Sequence, residues 1–373
     1  MIPYGKQSIN QDDIDAVVSV LKGDWLTTGP AVEKFESDLQ QFTGGVPVVS
    51  VSSGTAALHC AYVAAGIGPG DEVITPPLTF IATQATAVFC GAKVVFCDVQ
   101  SDTGNIDPNL IEGKITSRTK AVVAVDYAGH PADLDEIRKI CDKHKLIFIE
   151  DASHSLGSKY KEKYVGSIAD ITTFSFFPTK NITTGEGGAI ACKDPQMLQK
   201  ARRFARQGLI RDKNEFRIKT EGPWHQEVHE FGLNYRLPDI LAALGSSQLK
   251  RFAEFKIARA EIFEFYSSQF KQDSRLITPT KKSVVEPFWH LYPLRVPINQ
   301  RLKIYSALKS NNINVQINYF PVYKQPVFDT ESQKIEFPNA LNYYRSELSM
   351  PIFTDLPRSE LINIVKVVFD SLG

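Results

Sequence analysis

The run Thr173-Phe174-Ser175-Phe176-Phe177-Pro178-Thr179-Lys180-Asn181-Ile182-Thr183-Thr184-Gly185-Glu186-Gly187-Gly188 decides how the rest of the chain is read. Two apolar stretches, Ile171–Phe176 and Gly188–Cys192, read as strands, and the loop between them is rich in threonine and glycine. One lysine sits in that loop, with phenylalanines before it and three glycines after it. An isolated lysine is ordinarily a solvated charge. Among aromatic neighbours, desolvation disfavours its ammonium form and leaves an amine able to act as a nucleophile.

Working outward, short β-branched runs alternate with helical ones. Val46–Val51, Glu72–Thr75, Lys93–Asp98, Ala121–Val125 and Leu146–Glu150 read as strands. Thr55–Ala65, Ala82–Cys90, Leu110–Ile115 and Leu134–His144 read as helices between them. That alternation predicts an α/β fold, a mainly parallel sheet covered by helices on both faces. Before it, Ile14, Val17, Val18 and Leu21 lie at helical spacing behind Asn10, a suitable N-cap. After it, a helix is expected from Gln196 to Gln207, and residues 211–230 are charged and aperiodic, an excursion rather than an element. Pro238–Phe255 reads as one long helix that runs past Lys256 and links two domains, 1–250 and 251–373. The second would be a smaller α/β unit with strands at Leu291–Val296 and Val315–Asn318.

In parallel α/β sheets ligands bind beyond the carboxyl ends of the strands, so the residues following each apolar run matter most. Ser52-Ser53-Gly54-Thr55-Ala56-Ala57-Leu58 opens a helix with a small turn, whose free N–H groups and positive dipole end suit a phosphate. Any strand-to-helix junction needs similar residues, so this turn alone decides nothing. Glu150-Asp151-Ala152-Ser153-His154-Ser155 places an acid at a strand end, where a carboxylate can pair with a protonated ring nitrogen. A lone aspartate there reads equally as a helix cap, and His154 as a hydrogen-bonded structural histidine. A phosphate seat, a strand-end acid and a shielded lysine in one chain are together what pyridoxal phosphate requires.

Length and composition set bounds. A chain of 373 residues is long for one domain, and 43% hydrophobic with 23% charged residues suits a packed globular protein. Lysine plus arginine equals aspartate plus glutamate at 42 each, so no net field gathers nucleic acid or an anionic membrane. Five cysteines, an odd number with no C-x-x-C pair, read as reduced thiols and not as disulfides or a zinc site, and no metal site is expected. The first residues lack an apolar signal core, and no stretch approaches a membrane span, which makes a cytoplasmic location the expectation. Without a secretory signal, the sequon Asn181-Ile182-Thr183 is read as chance.

With these residues in view, the chain resembles the sugar-nucleotide aminotransferases of the DegT/StrS type, within the aspartate-aminotransferase (fold type I) class. The landmarks are Ile2-Pro3-Tyr4-Gly5, Ser53-Gly54-Thr55, Thr79-Phe80, Glu150-Asp151, Phe174-Ser175-Phe176 with Lys180, Gly185-Glu186-Gly187-Gly188, and Gly232-Leu233-Asn234-Tyr235-Arg236. The resemblance implies a large domain built on a mainly parallel seven-stranded sheet, a smaller C-terminal α/β domain, and pyridoxal 5'-phosphate as cofactor. It implies that Lys180 carries the cofactor covalently and then shuttles a proton, and that Asp151 keeps the pyridine nitrogen protonated. Phe80 would stack on the ring, His154 would lie near it, and Ser53, Gly54, Thr55 and Ser175 would hold the phosphate. Asn234 matches a residue that reaches the phosphate from the neighbouring subunit, which implies a homodimer with shared sites. Relatives that remove a hydroxyl carry histidine where Lys180 stands, so transamination is expected, with L-glutamate and a nucleotide-linked keto-sugar as substrates.

Several segments look most like the enzymes that aminate C4 of a UDP-linked 4-keto-6-deoxy-N-acetylhexosamine on the route to pseudaminic acid. They are Val125-Asp126-Tyr127-Ala128-Gly129, Ala152–Ser158, Ile182-Thr183-Thr184, His290-Leu291-Tyr292-Pro293, and Val315-Gln316 with Tyr319 and Pro321. Tyr4, Trp25-Leu26-Thr27, Asn318 and Tyr319 match that subgroup's substrate-contacting regions. Phe177, Asn181, Asn318 and Phe320 depart from its usual histidine, proline, histidine and lysine, and the excursion at 211–230 is longer.

Overall fold

Short β-branched runs without polar alternation need cover on both faces, and the chain supplies it. The computed structural model describes residues 1–328, 334 and 336–373. Two helices open the chain, α1 (Gln11–Leu21) and α2 (Pro30–Gln40). Strand and helix then alternate through β1 (Val48–Val51), α3 (Gly54–Ala64), β2 (Glu72–Thr75), α4 (Ala82–Phe89), β3 (Lys93–Phe96), α5 (Pro108–Ile111), β4 (Thr119–Val125), α6 (Leu134–His144) and β5 (Ile147–Asp151). A small hairpin, β6 (Lys159–Tyr160) and β7 (Lys163–Tyr164), leads into β8 (Ile171–Ser175), β9 (Gly188–Cys192) and α7 (Pro195–Phe204). Strands β10 (Leu209–Ile210) and β11 (Glu227–Val228) precede α8 (Asp239–Lys250) and α9 (Phe252–Phe270). The C-terminal part holds β12 (Val285–Glu286), β13 (Tyr292–Arg295), α10 (Arg301–Ser310), α11 (Pro338–Ser346), β14 (Glu347–Met350) and α12 (Arg358–Leu372).

The main sheet has seven strands in the order β1-β9-β8-β5-β4-β2-β3. From β3 to β8 neighbours run parallel, and β9 is antiparallel to both β8 and β1. On one face Val73, Val123, Ile149 and Ile171 meet the small residues of α3, α4 and α7. On the other, Ile74, Val122 and Phe148 meet Leu134, Ile137 and Cys141 of α6, while Val48, Phe174 and Ala189 meet Val32, Phe35 and Leu39 of α2. Each fully buried valine, leucine, isoleucine or phenylalanine here contributes roughly 1.5–3 kcal/mol before the entropy of ordering is counted. A separate apolar cluster forms in the C-terminal part from α9, α10, β13, β14 and α12, and Ile2 joins it by bridging to Ile313.

Four sequence expectations need correction. The helix expected over Pro238–Phe255 is two, broken at Arg251 (φ −101°, ψ 14°), whose guanidinium is held by Asp13 Oδ2 at 2.5 Å and the Ser8 carbonyl at 3.1 Å. Strand β3 stops at Phe96 because Asp98 turns its carboxylate to the N–H groups of Asn339 and Ala340 at the start of α11. Val315–Asn318 is no regular strand: Gln316 bridges to Ser349, but the Asn318 N–H goes to the Glu347 carboxylate at 2.9 Å. The excursion over 211–230 contains β11, paired with β10, and Glu227 organises it by accepting from Arg217 N, Ile218 N, His225 and His229. Among the described residues no helix is long and apolar enough to cross a membrane.

Candidate active site

The carboxyl ends of β1, β5 and β8 point to one edge of the sheet, so the segments leaving them converge. A cavity of about 540 Å³ opens there. Of the residues expected at the site, Tyr4, Ser53, Gly54, Thr55, Phe80, Asp151, His154, Ser175, Lys180, Asn318 and Tyr319 all line it. Trp25, Leu26, Thr27 and Asn234 do not. Trp25 and Leu26 are about half exposed, Thr27 bridges to Pro238, and Asn234 bridges to Arg206.

Lys180 sits in the hairpin connection between β8 and β9, where Ser175 and Gly188 form the last rung. Its Nζ has no hydrogen-bond or ion-pair partner among the described residues, and burial lowers its pKa to about 8, with the Asp151 charge working in the opposite direction. Such an amine is available as a nucleophile and proton carrier near neutral pH. Asp151 closes β5, is buried, and is fixed from two sides: Thr83 Oγ1 donates to Oδ2 at 2.7 Å, and Ser153 Oγ donates to Oδ1 at 2.6 Å. His154 comes three residues later, on the turn after the strand. Burial first, and the Lys180 charge second, hold its pKa well below the usual value, so the ring is neutral. Its Nε2 meets the Tyr319 hydroxyl at 3.1 Å, while Nδ1 is buried without a partner among the described residues.

The phosphate seat has a structural basis. Ser53 caps α3 by accepting the Ala56 N–H at 3.0 Å. The first N–H groups of a helix have no carbonyl four residues back, so those at Gly54 and Thr55 stay available for an anion. Gly54 is required by its neighbour, since a Cβ there would come within 2.7 Å of Ser175 Cβ. The Ser175 side chain is thereby brought against the start of α3. An anion seat, an aromatic wall at Phe80, a fixed carboxylate, an open histidine nitrogen and an unpaired amine match a flat, phosphate-bearing aldehyde, so the residues present fit pyridoxal phosphate.

Several groups escaped the sequence reading. Thr83, which steadies Asp151, is a hydroxyl on the first turn of a helix whose role shows only through the fold. Ser153 lies inside the Glu150–Ser155 motif, where sequence assigned it no task. His290 lies beside His154 with ring centroids 4.4 Å apart, and Gln316, Phe177 and Glu186 also line the cavity; the sequence reading quoted these four within motifs but gave them no place in the site. Their positions depend on long-range packing that no local pattern encodes.

Comparison with known proteins agrees with this geometry. Residues 7–369 match the DegT/DnrJ/EryC1/StrS aminotransferase family. The UDP-4-amino-4,6-dideoxy-N-acetyl-beta-L-altrosamine transaminase of Campylobacter jejuni is 36% identical over 362 residues, covering 95% of this chain and 93% of its own. The structure of Helicobacter pylori PseC, an aminotransferase of pseudoaminic acid biosynthesis, superposes with a TM-score of 0.92 at 31% identity, covering 99% and 98% of the two chains. Spr1654 of Streptococcus pneumoniae, solved in a PLP form, superposes with a TM-score of 0.91 at 29% identity over the whole of both chains. The chain belongs to the DegT/DnrJ/EryC1/StrS aminotransferase family and is a sugar aminotransferase with pyridoxal phosphate as its cofactor.

Proposed function

We propose that the enzyme moves the amino group of L-glutamate to C4 of a UDP-linked 4-keto-6-deoxy-N-acetylhexosamine, as in pseudaminic acid formation. The observation that carries this reading is the unpaired Lys180 amine in one cavity with Asp151, His154 and the α3 N-terminus. The match to the Campylobacter transaminase supports the choice of sugar. When bound, the cofactor supplies an electron sink for charge developing on the amino-acid carbon. In this assignment Lys180 would hold the cofactor and, when free, would carry a proton on its amine. Asp151 would face the protonated ring nitrogen, with Thr83 and Ser153 keeping the carboxylate in place. Ser53, Gly54, Thr55 and Ser175 would take the phosphate, Phe80 would offer an aromatic wall, and His154 would stay neutral in the same cavity. Tyr4, Asn318 and Tyr319 face the sugar, and the distant nucleotide supplies binding energy that orients the keto carbon.

The same reading assembles two chains, with Asn234 reaching the neighbour's phosphate seat and Trp25, Leu26 and Thr27 bordering the shared substrate path. It divides each chain at Arg251 into a cofactor-binding part, 1–250, and a smaller part, 251–373, and it places the enzyme in the cytoplasm. Incubation with L-glutamate and a panel of nucleotide keto-sugars tests the substrate. Amination of the UDP-linked 4-keto-6-deoxy-N-acetylhexosamine above the others is expected. Preference for a 4-keto sugar of bacillosamine type or a 3-keto sugar would overturn the assignment and leave the reaction class standing. A protein that binds sugar nucleotides but aminates none would instead be a sensor, a role that an intact Lys180 and Asp151 argue against.

A further inference from the structure

Glu150 and Asp151 are consecutive in β5, so their side chains leave opposite faces of the sheet. Asp151 turns toward Thr83 of α4 and the cavity. Glu150 turns the other way, beside Ala124 of β4, and is fully buried. Its Oε2 accepts from Thr172 Oγ1 at 2.9 Å and from the Gly166 N–H at 3.2 Å. Its Oε1 is sealed from solvent and meets no N–H or hydroxyl donor among the described residues. A bare carboxylate oxygen in such a place is costly, and a proton on Oε1 removes the deficit. An acceptor for that proton stands beside it. Asp126, fully buried just beyond the end of β4, is hydrogen-bonded to Glu150, and neither carboxyl has a cationic partner among the described residues. Asp126 Oδ1 accepts the Ala132 N–H at 2.9 Å and Oδ2 accepts from Ser155 Oγ at 2.6 Å, so both of its oxygens act as a carboxylate's do. Burial, the largest influence on each, raises both carboxyls, and the Asp126 charge raises Glu150 further. Two carboxyls in contact away from water do not both ionise.

We propose that Glu150 and Asp126 share one proton, held on Glu150 Oε1 and donated to the Asp126 carboxylate, and that the pair positions the cofactor-facing turn from Asp151 to Ser155. The link to the turn is short. The Asp126 N–H donates to the Asp151 carbonyl at 3.1 Å, and Ser155 Oγ, next to His154 in the chain, is anchored on Asp126 Oδ2. Asp151 and His154 therefore stand on a turn held from the far face of the sheet. With Glu150 neutral, the Asp151 carboxylate has one anionic neighbour behind it instead of two. The inference rests on the proposed placing of Asp151 and His154 against the cofactor, and it adds positioning residues that touch neither cofactor nor substrate.

The test reads the holoenzyme by infrared absorption in deuterium oxide at pH 8, where a buried carboxylic acid gives a carbonyl band apart from those of carboxylates. The wild-type minus Glu150→Gln difference should show that band. Glu347, another buried carboxyl, is raised by burial to about 8, but it is common to both proteins and cancels. The glutamine amide donates to Asp126 as the acid does, and its carbonyl accepts from Thr172 and Gly166. Cofactor retention on dialysis, and the rate at which glutamate bleaches the lysine-linked band, should therefore stay within about twofold of wild type. Glu150→Met, which cannot donate, and Ser155→Ala, which cuts the link to the turn, should each lower both quantities roughly tenfold. Ser155→Ala should keep the acid band. If Glu150→Met fails to fold, Ser155→Ala decides the matter. A difference spectrum without an acid band overturns the shared proton. So does a Glu150→Gln protein as impaired as Glu150→Met, which would mark Glu150 as the ionised partner. A folded Ser155→Ala with unchanged rate and retention overturns the positioning role, even if its unfolding midpoint falls. If glutamate bleaches no band in the wild type, the donor assignment fails, while the infrared band and cofactor retention still decide the pair.

Discussion

At the scale of single residues, the chemistry is set by what the fold leaves unpaired. The Lys180 amine has no partner among the described residues, and its pKa is lowered to about 8 from 10.5. Between those two values the unfolded chain holds the proton and the folded chain does not, so the cofactor-free protein should gain stability as pH rises through that window. Below pH 8 both states hold the proton and the burial penalty is full. Lys180→Met should therefore stabilise cofactor-free protein by about 1–3 kcal/mol at pH 7 after screening, an advantage that vanishes by pH 10.5. Denaturant titration across pH reads this out, and an advantage independent of pH would contradict it. Thr83→Val removes one of two hydroxyls steadying Asp151. It should weaken cofactor retention about tenfold, measured by dialysis and residual absorbance, with no loss of secondary structure. Lys180 and Asp151 were legible in the sequence because a lysine between apolar strands and an acid at a strand end are locally odd. Thr83 was not, because a threonine at the start of a helix is ordinary until Asp151 is known to face it.

Among the elements, the parallel strands were the easiest to read, since continuous apolar runs bounded by turns leave few alternatives; Glu72–Thr75 matches residue for residue, as does the antiparallel Gly188–Cys192. Failures came where side chains replaced the backbone ladder, as Glu347 does at Asn318, or broke a helix, as the Arg251 contacts do. Helix α1 shows a related inversion. Ile14, Val17, Val18 and Leu21 set the helical spacing by which it was read, yet Asp13 is its one buried residue, while Ile14 and Leu21 are about half exposed. Asp13 accepts from Gln248 at 2.7 Å and Arg251 at 2.5 Å, so α1 is tied to α8 by a buried charge. Asp13→Ala strands that guanidinium and should cost about 3–5 kcal/mol, visible as a fall in the unfolding midpoint. A loss below about 1 kcal/mol would mean the apolar residues of α1, not Asp13, hold it in place.

Across the whole molecule, the exposed apolar side chains call for a partner surface. Ile14, Leu21, Trp25 and Leu26 near the N-terminus, and Trp224, Phe231 and Leu233 near Asn234, are all exposed. We propose that these groups belong to an association surface, with a second copy of the chain as the partner. Sequence could point to that pairing only through the resemblance at Asn234, because association depends on surfaces that no local pattern assembles. Mixing inactive Lys180→Ala with Asn234→Ala after dissociation and reassembly should restore roughly a quarter of wild-type activity, since half the dimers carry one intact site. No recovery would place Asn234 within its own chain's site. The most direct test of the central claim is the visible absorption spectrum of the holoenzyme, recorded as L-glutamate and then the UDP-linked 4-keto-6-deoxy-N-acetylhexosamine are added. The account predicts a yellow lysine-linked band that glutamate bleaches and the keto-sugar restores, with neither change in Lys180→Ala. A band that glutamate leaves untouched, or one that behaves normally without Lys180, would contradict it.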